Sequence, residues 1–212
     1  MKDLEHLRGQ VSARLGEFRA RHVLSTEEEA VRIATELLPE AVEAVRISAL
    51  LHDITKEYSV EEHMKVFHAF GVDLDEITMQ SPKVFHARTA ALLLQQEYPM
   101  YCSPEVLSAV EKHTTGSADM TVMDCILYLA DYIEPLRKYE DCKELRAFFW
   151  NGIAQAKGDA AKRLHLYKTM VLSFDLTIKN LLAENAVIAP ETFAARNAFV
   201  LKCKAEEKKG ER

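Results

Sequence analysis

The sequence is poor in the residues that interrupt helices, with seven glycines and six prolines in 212 positions. That is roughly half the average share of the two. Because they punctuate turns, their scarcity argues for long helices with short connections. It argues equally against an all-β sandwich or a Gly-rich disordered chain. Cysteine is sparse as well: Cys102, Cys125, Cys142 and Cys203 lie far apart and form no C-x-x-C, so no disulfide framework is expected. The first residues, Met1 to Glu5, alternate charged with apolar side chains and hold no signal-peptide core. No uncharged apolar run approaches the ~18 residues of a membrane span. Basic residues are outnumbered, 27 Lys and Arg against 33 Asp and Glu, for a net charge of −6. The overall basic footprint of a nucleic-acid binder is therefore missing, and any anionic ligand must be drawn in by a local cluster of cations. These absences predict a cytoplasmic protein with reduced thiols and with no membrane, DNA or RNA partner.

What is present reads as an all-α helical bundle. Hydrophobic residues make up 48% of the chain and charged residues 28%, an ordinary globular composition with enough apolar side chains for a core. Ser25-Thr26-Glu27-Glu28 and Ser59-Val60-Glu61-Glu62 both read as capping boxes, and Ser103-Pro104 as a cap before a proline at the first helical position. Gly71 and Gly158 are expected to end helices. Helices are predicted near 2–18, 26–38, 40–52, 60–70, 73–79, 83–97, 104–113, 121–134, 142–157, 160–184 and 191–206. Residues 1–204 are expected to form a single domain, followed by a charged tail, 205–212, that frays. The segments 41–51 and 122–133 are apolar almost all round, which marks central helices.

His52-Asp53 ends the first of these central segments and Asp131 sits inside the second. An ionised carboxylate buried without a partner costs several kcal/mol, so such a residue protonates, pairs or binds a cation. His22, His86 and His113 stand at comparable predicted helix ends. Imidazole and carboxylate are the donors suited to iron, manganese or zinc. Spacing alone does not assign a site, and for a lone buried Asp an ion pair or a cap is the commoner outcome.

The ordered set His22, His52-Asp53, His86, His113-Thr114, Asp131 resembles the HD-domain metal-dependent phosphohydrolases, an all-α superfamily. Leu50-Leu51-His52-Asp53-Ile54-Thr55-Lys56, Phe85-His86-Ala87, His113-Thr114-Thr115-Gly116 and Ala130-Asp131-Tyr132-Ile133-Glu134-Pro135-x-Arg137 are similar to the YqeK-type branch. That branch consists of symmetrical bis(5'-nucleosyl)-tetraphosphatases, which cut diadenosine tetraphosphate into two ADP. Asn185 to Phe193 resembles the end of the same family, so the likeness runs from about residue 19 to 197. One departure is Ser25, where the family often has Gly; a serine there is expected to cap the following helix.

The resemblance implies an HD-domain helical bundle in which His22, His52, Asp53 and Asp131 hold iron, as one ion or two, with manganese or another divalent metal able to substitute. It implies a metal-activated water attacking an inner phosphorus with ADP as leaving group. Asp53, His86 and His113 are the candidate catalytic groups, with Asp53 orienting the water and His113 stabilising developing charge. His86 and His113 either face the phosphates or hold a second ion. Arg19, Lys56 and Arg137 match positions facing the nucleotide phosphates; Thr114 is expected either to donate its hydroxyl to a phosphate oxygen or to cap the helix carrying His113, and Arg88 is a weaker candidate. Asn185 and Ile188 are expected to border the base. A homodimer is expected from family likeness.

The other histidines, His6, His63, His68 and His165, lie on charged or mixed faces and read as solvated. Trp150 with Phe148 and Phe149 reads as core or an oligomer contact, and Tyr128 and Tyr132 as packing. Three function classes stay open: the symmetrical tetraphosphatase; another HD nucleotide hydrolase acting on deoxynucleotides, cyclic dinucleotides or alarmones; and a catalytically silent nucleotide-binding module.

Overall fold

Apolar periodicity and caps place eleven α-helices along the described residues. The computed structural model describes residues 3–210, and among these there is no strand. The helices are α1 (Leu4–Arg14), α2 (Glu17–Leu37), α3 (Val42–Leu51), α4 (Val60–Ala69), α5 (Glu76–Met79), α6 (Phe85–Glu97), α7 (Pro104–Lys112), α8 (Val122–Ile133), α9 (Glu140–Gln155), α10 (Asp159–Ala183) and α11 (Pro190–Gly210). Short 3₁₀ turns precede α3 and α6. The two segments expected to be central are so. Val45, Ile47, Ala49, Leu50 and Leu51 of α3 and Ile126, Leu127, Leu129, Ala130 and Ile133 of α8 are all essentially without exposure. They belong to one apolar cluster that also takes Leu7 from α1, Ile33 from α2, Leu94 from α6, Phe149 from α9, Phe174 from α10 and Phe199 from α11. No helix of the described residues is long and apolar enough to cross a membrane.

The caps at Ser59 and Ser103 form as expected, the first as a full capping box. Thr121 and Asp124 make a second box at the start of α8. The box expected at Ser25 does not form. The chain breaks earlier, at Leu15-Gly16, and α2 runs unbroken through His22 and Ser25. Gly16 caps it, its amide donating to Glu57 Oε2 at 2.9 Å. The reason is tertiary: His22, Val23, Thr26, Glu27, Ala30 and Ile33 form one buried stripe, and burying that stripe outweighs the modest helix propensity of Ser and Thr. Gly158 stands before α10 rather than ending α9. The charged segment from Ala205 continues α11 as helix to Gly210.

Gly116 is required by its conformation and its neighbours. Its φ is +70°, and an added Cβ would lie 2.5 Å from Phe174 Cζ and 3.1 Å from Ala195 Cβ. The turn after His113 is thereby held against α10 and α11.

Candidate active site

Six side chains from five places in the sequence meet on the inner side of α3 and α8. His52 closes α3 and His113 closes α7, each as the C-cap residue. His86 opens α6, Asp131 lies in the last turn of α8, and His22 comes from the middle of α2. His22, His52, Asp53, His86 and His113 are buried, while Asp131 is partly exposed.

One local device sets the imidazoles. Nδ1 of His52, His86 and His113 lies against the carbonyl oxygen three residues earlier, Ala49 at 2.7 Å, Lys83 at 2.9 Å and Val110 at 2.6 Å. A carbonyl only accepts, so Nδ1 carries a proton and Nε2 is the atom turned to the centre, a lone pair whenever the ring is neutral. His22 reaches the same state by another route. Its Nδ1 faces Glu134 Oε1 at 3.1 Å, and the other oxygen of Glu134 accepts from the Ser25 hydroxyl and the Leu136 amide, each at 2.6 Å. Ser25, expected as a cap, instead braces this carboxylate.

The Nε2 atoms converge on the two carboxylates. His22 Nε2 is 2.9 Å from Asp131 Oδ1 and 3.7 Å from Asp53 Oδ2. His52 Nε2 is 3.5 Å from Asp53 Oδ2 and 3.7 Å from Asp131 Oδ1. Both Nε2 atoms are buried and make no hydrogen bond. His86 and His113 face the other oxygen, Asp53 Oδ1, at 3.5 and 3.8 Å. Thus His22, His52 and Asp53 bring donor atoms within one coordination sphere of each other, as do His52, His113 and Asp131, and Asp53, His86 and His113. His86 Nε2 differs from the first pair in having partners at hand, Lys56 Nζ, the Thr114 hydroxyl and His113 Nε2, each at 3.1 Å.

The charges are strongly coupled. Burial alone would lower the His52 pKa, but Asp53 and Asp131 outweigh it and raise the value to about 10. His22 is raised against burial by Asp131 and Glu134. His86 is pushed well down by burial, Lys56 and His113, and His113 is lowered chiefly by burial. Burial would raise Asp53 and Asp131, yet both sit well below the usual carboxylate range: Asp53 beside His52 and His113, Asp131 beside Arg137 and His22. Burial lowers Lys56, with Asp53 and Asp131 opposing. Two further cations clamp the carboxylates, Arg19 Nη1 on Asp53 Oδ2 at 2.8 Å and Arg137 Nη2 on Asp131 Oδ1 at 2.6 Å.

The cluster opens into a cavity of roughly 690 Å³. Of the residues singled out in the sequence, Lys56, His113, Thr114, Asp131, Arg137 and Asn185 line it, whereas Ile188 does not. Asn185 adopts a left-handed backbone, φ +51°. Arg88 is turned to Glu191, at 2.9 Å. Tyr128 packs in the apolar cluster and Tyr132 against it, as expected, and both also line the cavity with Asp141 and Asn180. His63, expected in solvent, is buried with Nδ1 2.9 Å from Thr89 Oγ1. That hydroxyl meets Thr55, whose own hydroxyl donates to the His86 carbonyl at 2.9 Å, joining the His52-Asp53 turn to α6. His165 is half-buried and lies against the Phe149 carbonyl at 3.0 Å. Sequence reasoning missed Glu134, although it stands inside the Ala130–Arg137 motif. Its only signal is a carboxylate three residues beyond Asp131 at a helix end.

A centre of convergent imidazole lone pairs and carboxylates beside a cationic cleft defines a metal-dependent phosphohydrolase of the HD type. The chain belongs to the HD domain family, whose model matches residues 19–136, and that family works with a divalent metal ion. Over 92% of its length it is 28% identical to a protein of Halalkalibacterium halodurans named symmetrical bis(5'-nucleosyl)-tetraphosphatase, covering 95% of that protein. It is 27% identical to a Bacillus subtilis protein of the same name, over 90% of this chain and 94% of the other. A crystal structure from Clostridium acetobutylicum, of a predicted HD superfamily hydrolase involved in NAD metabolism, superposes with a TM-score of 0.81 at 29% identity, covering 95% of this chain and 99% of that one.

The residues present fit a metal ion. Two buried imidazole nitrogens without hydrogen-bond partners, between two ionised carboxylates, are a donor set complete except for the cation they would share. The Nδ1 contacts to carbonyl or carboxylate are the outer contacts that orient metal-ligating histidines.

Proposed function

We propose that this chain hydrolyses diadenosine tetraphosphate symmetrically to two ADP, with an iron ion held by His22, His52, Asp53 and Asp131. The observation that carries the reading is the pair of orphaned Nε2 atoms of His22 and His52 between Asp53 and Asp131, opening on a cavity lined by Lys56 and Arg137. The names of the two relatives that match nearly the whole chain supply the substrate. When bound, the ion supplies a nucleophilic water at neutral pH and Lewis-acid polarisation of a phosphoryl oxygen.

The chain's own residues supply the rest. Lys56, Arg137 and Arg19 collect the polyphosphate, which a net-acidic protein must attract locally. In the reaction one oxygen–phosphorus bond forms at an inner phosphorus, and the bridge between the two inner phosphates breaks. Both products are then ADP, and the departing one leaves as an anion that needs no proton. His86 and His113, kept neutral by burial, offer Nε2 to the proton that the attacking water loses. Asp53 Oδ1, turned toward both, orients that water. The Thr114 hydroxyl is placed to donate to a phosphoryl oxygen.

The Lys56 ammonium beside His86 Nε2 favours one ion per chain over two, because it puts a cation where a second metal would sit. Asn185 borders the nucleoside. The chain is expected to act in the cytoplasm as a homodimer without nucleic-acid partners. Incubation with diadenosine tetraphosphate and anion-exchange separation of the products tests the activity: ADP alone supports it, and ATP with AMP in equal amounts refutes it. Elemental analysis should find one iron per chain, and none in Asp131→Ala.

A further inference from the structure

The cavity has a second polar group, built mainly by two helices, α9 and α10, that give nothing to the His–Asp cluster. Asp141 opens α9 and Asn180 lies near the end of α10, and both line the cavity with Tyr132 of α8. Asp141 Oδ2 accepts from the Tyr132 hydroxyl at 2.9 Å and from Asn180 Nδ2 at 2.9 Å, while Oδ1 accepts from the Cys142 amide at 2.9 Å.

An ionised carboxylate has nothing to donate, so it fixes the polarity of both neighbours. The phenol proton points at Asp141, which leaves the phenol oxygen to accept, with the Thr177 hydroxyl beside it. The amide of Asn180 is oriented in the same way, leaving Oδ1 as an acceptor. The wall therefore offers two acceptors in a fixed orientation. A carboxylate also makes this a poor place for phosphate and a good one for a neutral group rich in N–H or O–H.

We propose that Tyr132 and Asn180, oriented by Asp141, select the nucleoside half of the substrate by accepting from a pair of its hydrogen-bond donors. The inference rests on the activity proposed above and adds the part of the substrate that these residues read. Two groups of adenosine carry such a pair, the ribose 2',3'-diol and the 6-amino group. The test separates them.

The assay compares kcat/KM for diadenosine tetraphosphate, its bis(2'-deoxy) analogue and diinosine tetraphosphate, using metal-loaded wild type, Tyr132→Phe, Asp141→Asn and Asn180→Ala. Wild type should cut one of the two analogues on the order of tenfold less efficiently than the parent, the effect of one hydrogen bond. Tyr132→Phe and Asn180→Ala should lose a similar factor on the parent and little on that analogue, so that the discrimination collapses. A deficit on the deoxy analogue assigns the ribose, and one on the inosine compound assigns the 6-amino group. Equal wild-type efficiency on all three overturns the inference, as does a uniform loss across the three substrates in every variant, which would mark the trio as a structural cross-link. Asn180 is exposed, so its variant remains informative if Asp141→Asn fails to fold. Wild type that forms no ADP from the parent overturns the proposed activity, and this inference with it.

Discussion

Glu134→Gln separates the metal centre from the fold with a nearly isosteric change. Glu134 is 1% exposed. Its Oε2 accepts from the Ser25 hydroxyl and the Leu136 amide at 2.6 Å each, and its Oε1 faces His22 Nδ1 at 3.1 Å. In the glutamine the carbonyl oxygen stays with the first two donors, which turns the NH₂ toward His22. A donor then faces a donor, and His22 relieves the conflict by carrying its proton on Nε2, the atom that points at Asp131 and Asp53. The lone pair is gone. Loss of such an outer contact costs about 10–100-fold in metal affinity, or about 1.4–2.7 kcal/mol. The metal-free fold also exchanges a charge-assisted hydrogen bond for a neutral one, about 1 kcal/mol. Manganese affinity by competition with a chelating dye measures the first quantity, and urea unfolding of the metal-free protein the second. Ser25→Ala, which removes one donor and leaves the carboxylate, should cost about 1 kcal/mol of stability and keep metal affinity. A Glu134→Gln protein that binds manganese as tightly as wild type would refute the tautomer argument.

Other perturbations probe different layers. Gly116→Ala places a side chain at φ +70° with its Cβ 2.5 Å from Phe174 Cζ. The left-handed backbone and the overpacking together should cost about 2–5 kcal/mol in urea unfolding, and a loss below about 1 kcal/mol would contradict it. Lys56→Met should lower kcat/KM about 10²–10³-fold with iron content unchanged, and normal kinetics would remove Lys56 from the phosphate site. In the metal-free protein the His52 pKa is raised to about 10. Its stabilising contribution is therefore complete below the unfolded value of about 6.5 and is lost as pH rises from there toward 10. A metal ion needs the neutral imidazole, so its affinity grows over the same window. The melting temperature of metal-free protein should fall from pH 6.5 to 8.5 while the increase produced by manganese grows, and a pH-independent increase would count against this assignment.

The sequence made the helical class legible through missing Gly and Pro and through the two segments apolar all round, α3 and α8. Ser59 and Ser103 cap as local chemistry demands, because their partners lie within one turn. Ser25 does not. The same hydroxyl chemistry was available there, but the buried stripe of α2 and the carboxylate of Glu134, more than a hundred residues away, took precedence. The site shows the same division. The histidines and aspartates were nameable in order, since their motifs are short and contiguous. Glu134, Tyr132, Asp141 and Asn180 were not, because each acts through a contact that no spacing encodes. His63 was misplaced in solvent for the same reason, its partner Thr89 coming from another helix.

Donor chemistry and tautomer were therefore largely in the chain itself: a histidine whose Nδ1 reaches the carbonyl three residues back presents Nε2 wherever its helix points. Convergence was decided only by packing. Burying α3 and α8 at the centre brings helix ends from distant parts of the chain to one place, and an electrostatic centre depends on distances of a few ångströms that local propensity does not specify. The same packing decides which cations face the carboxylates and which polar groups line the cleft.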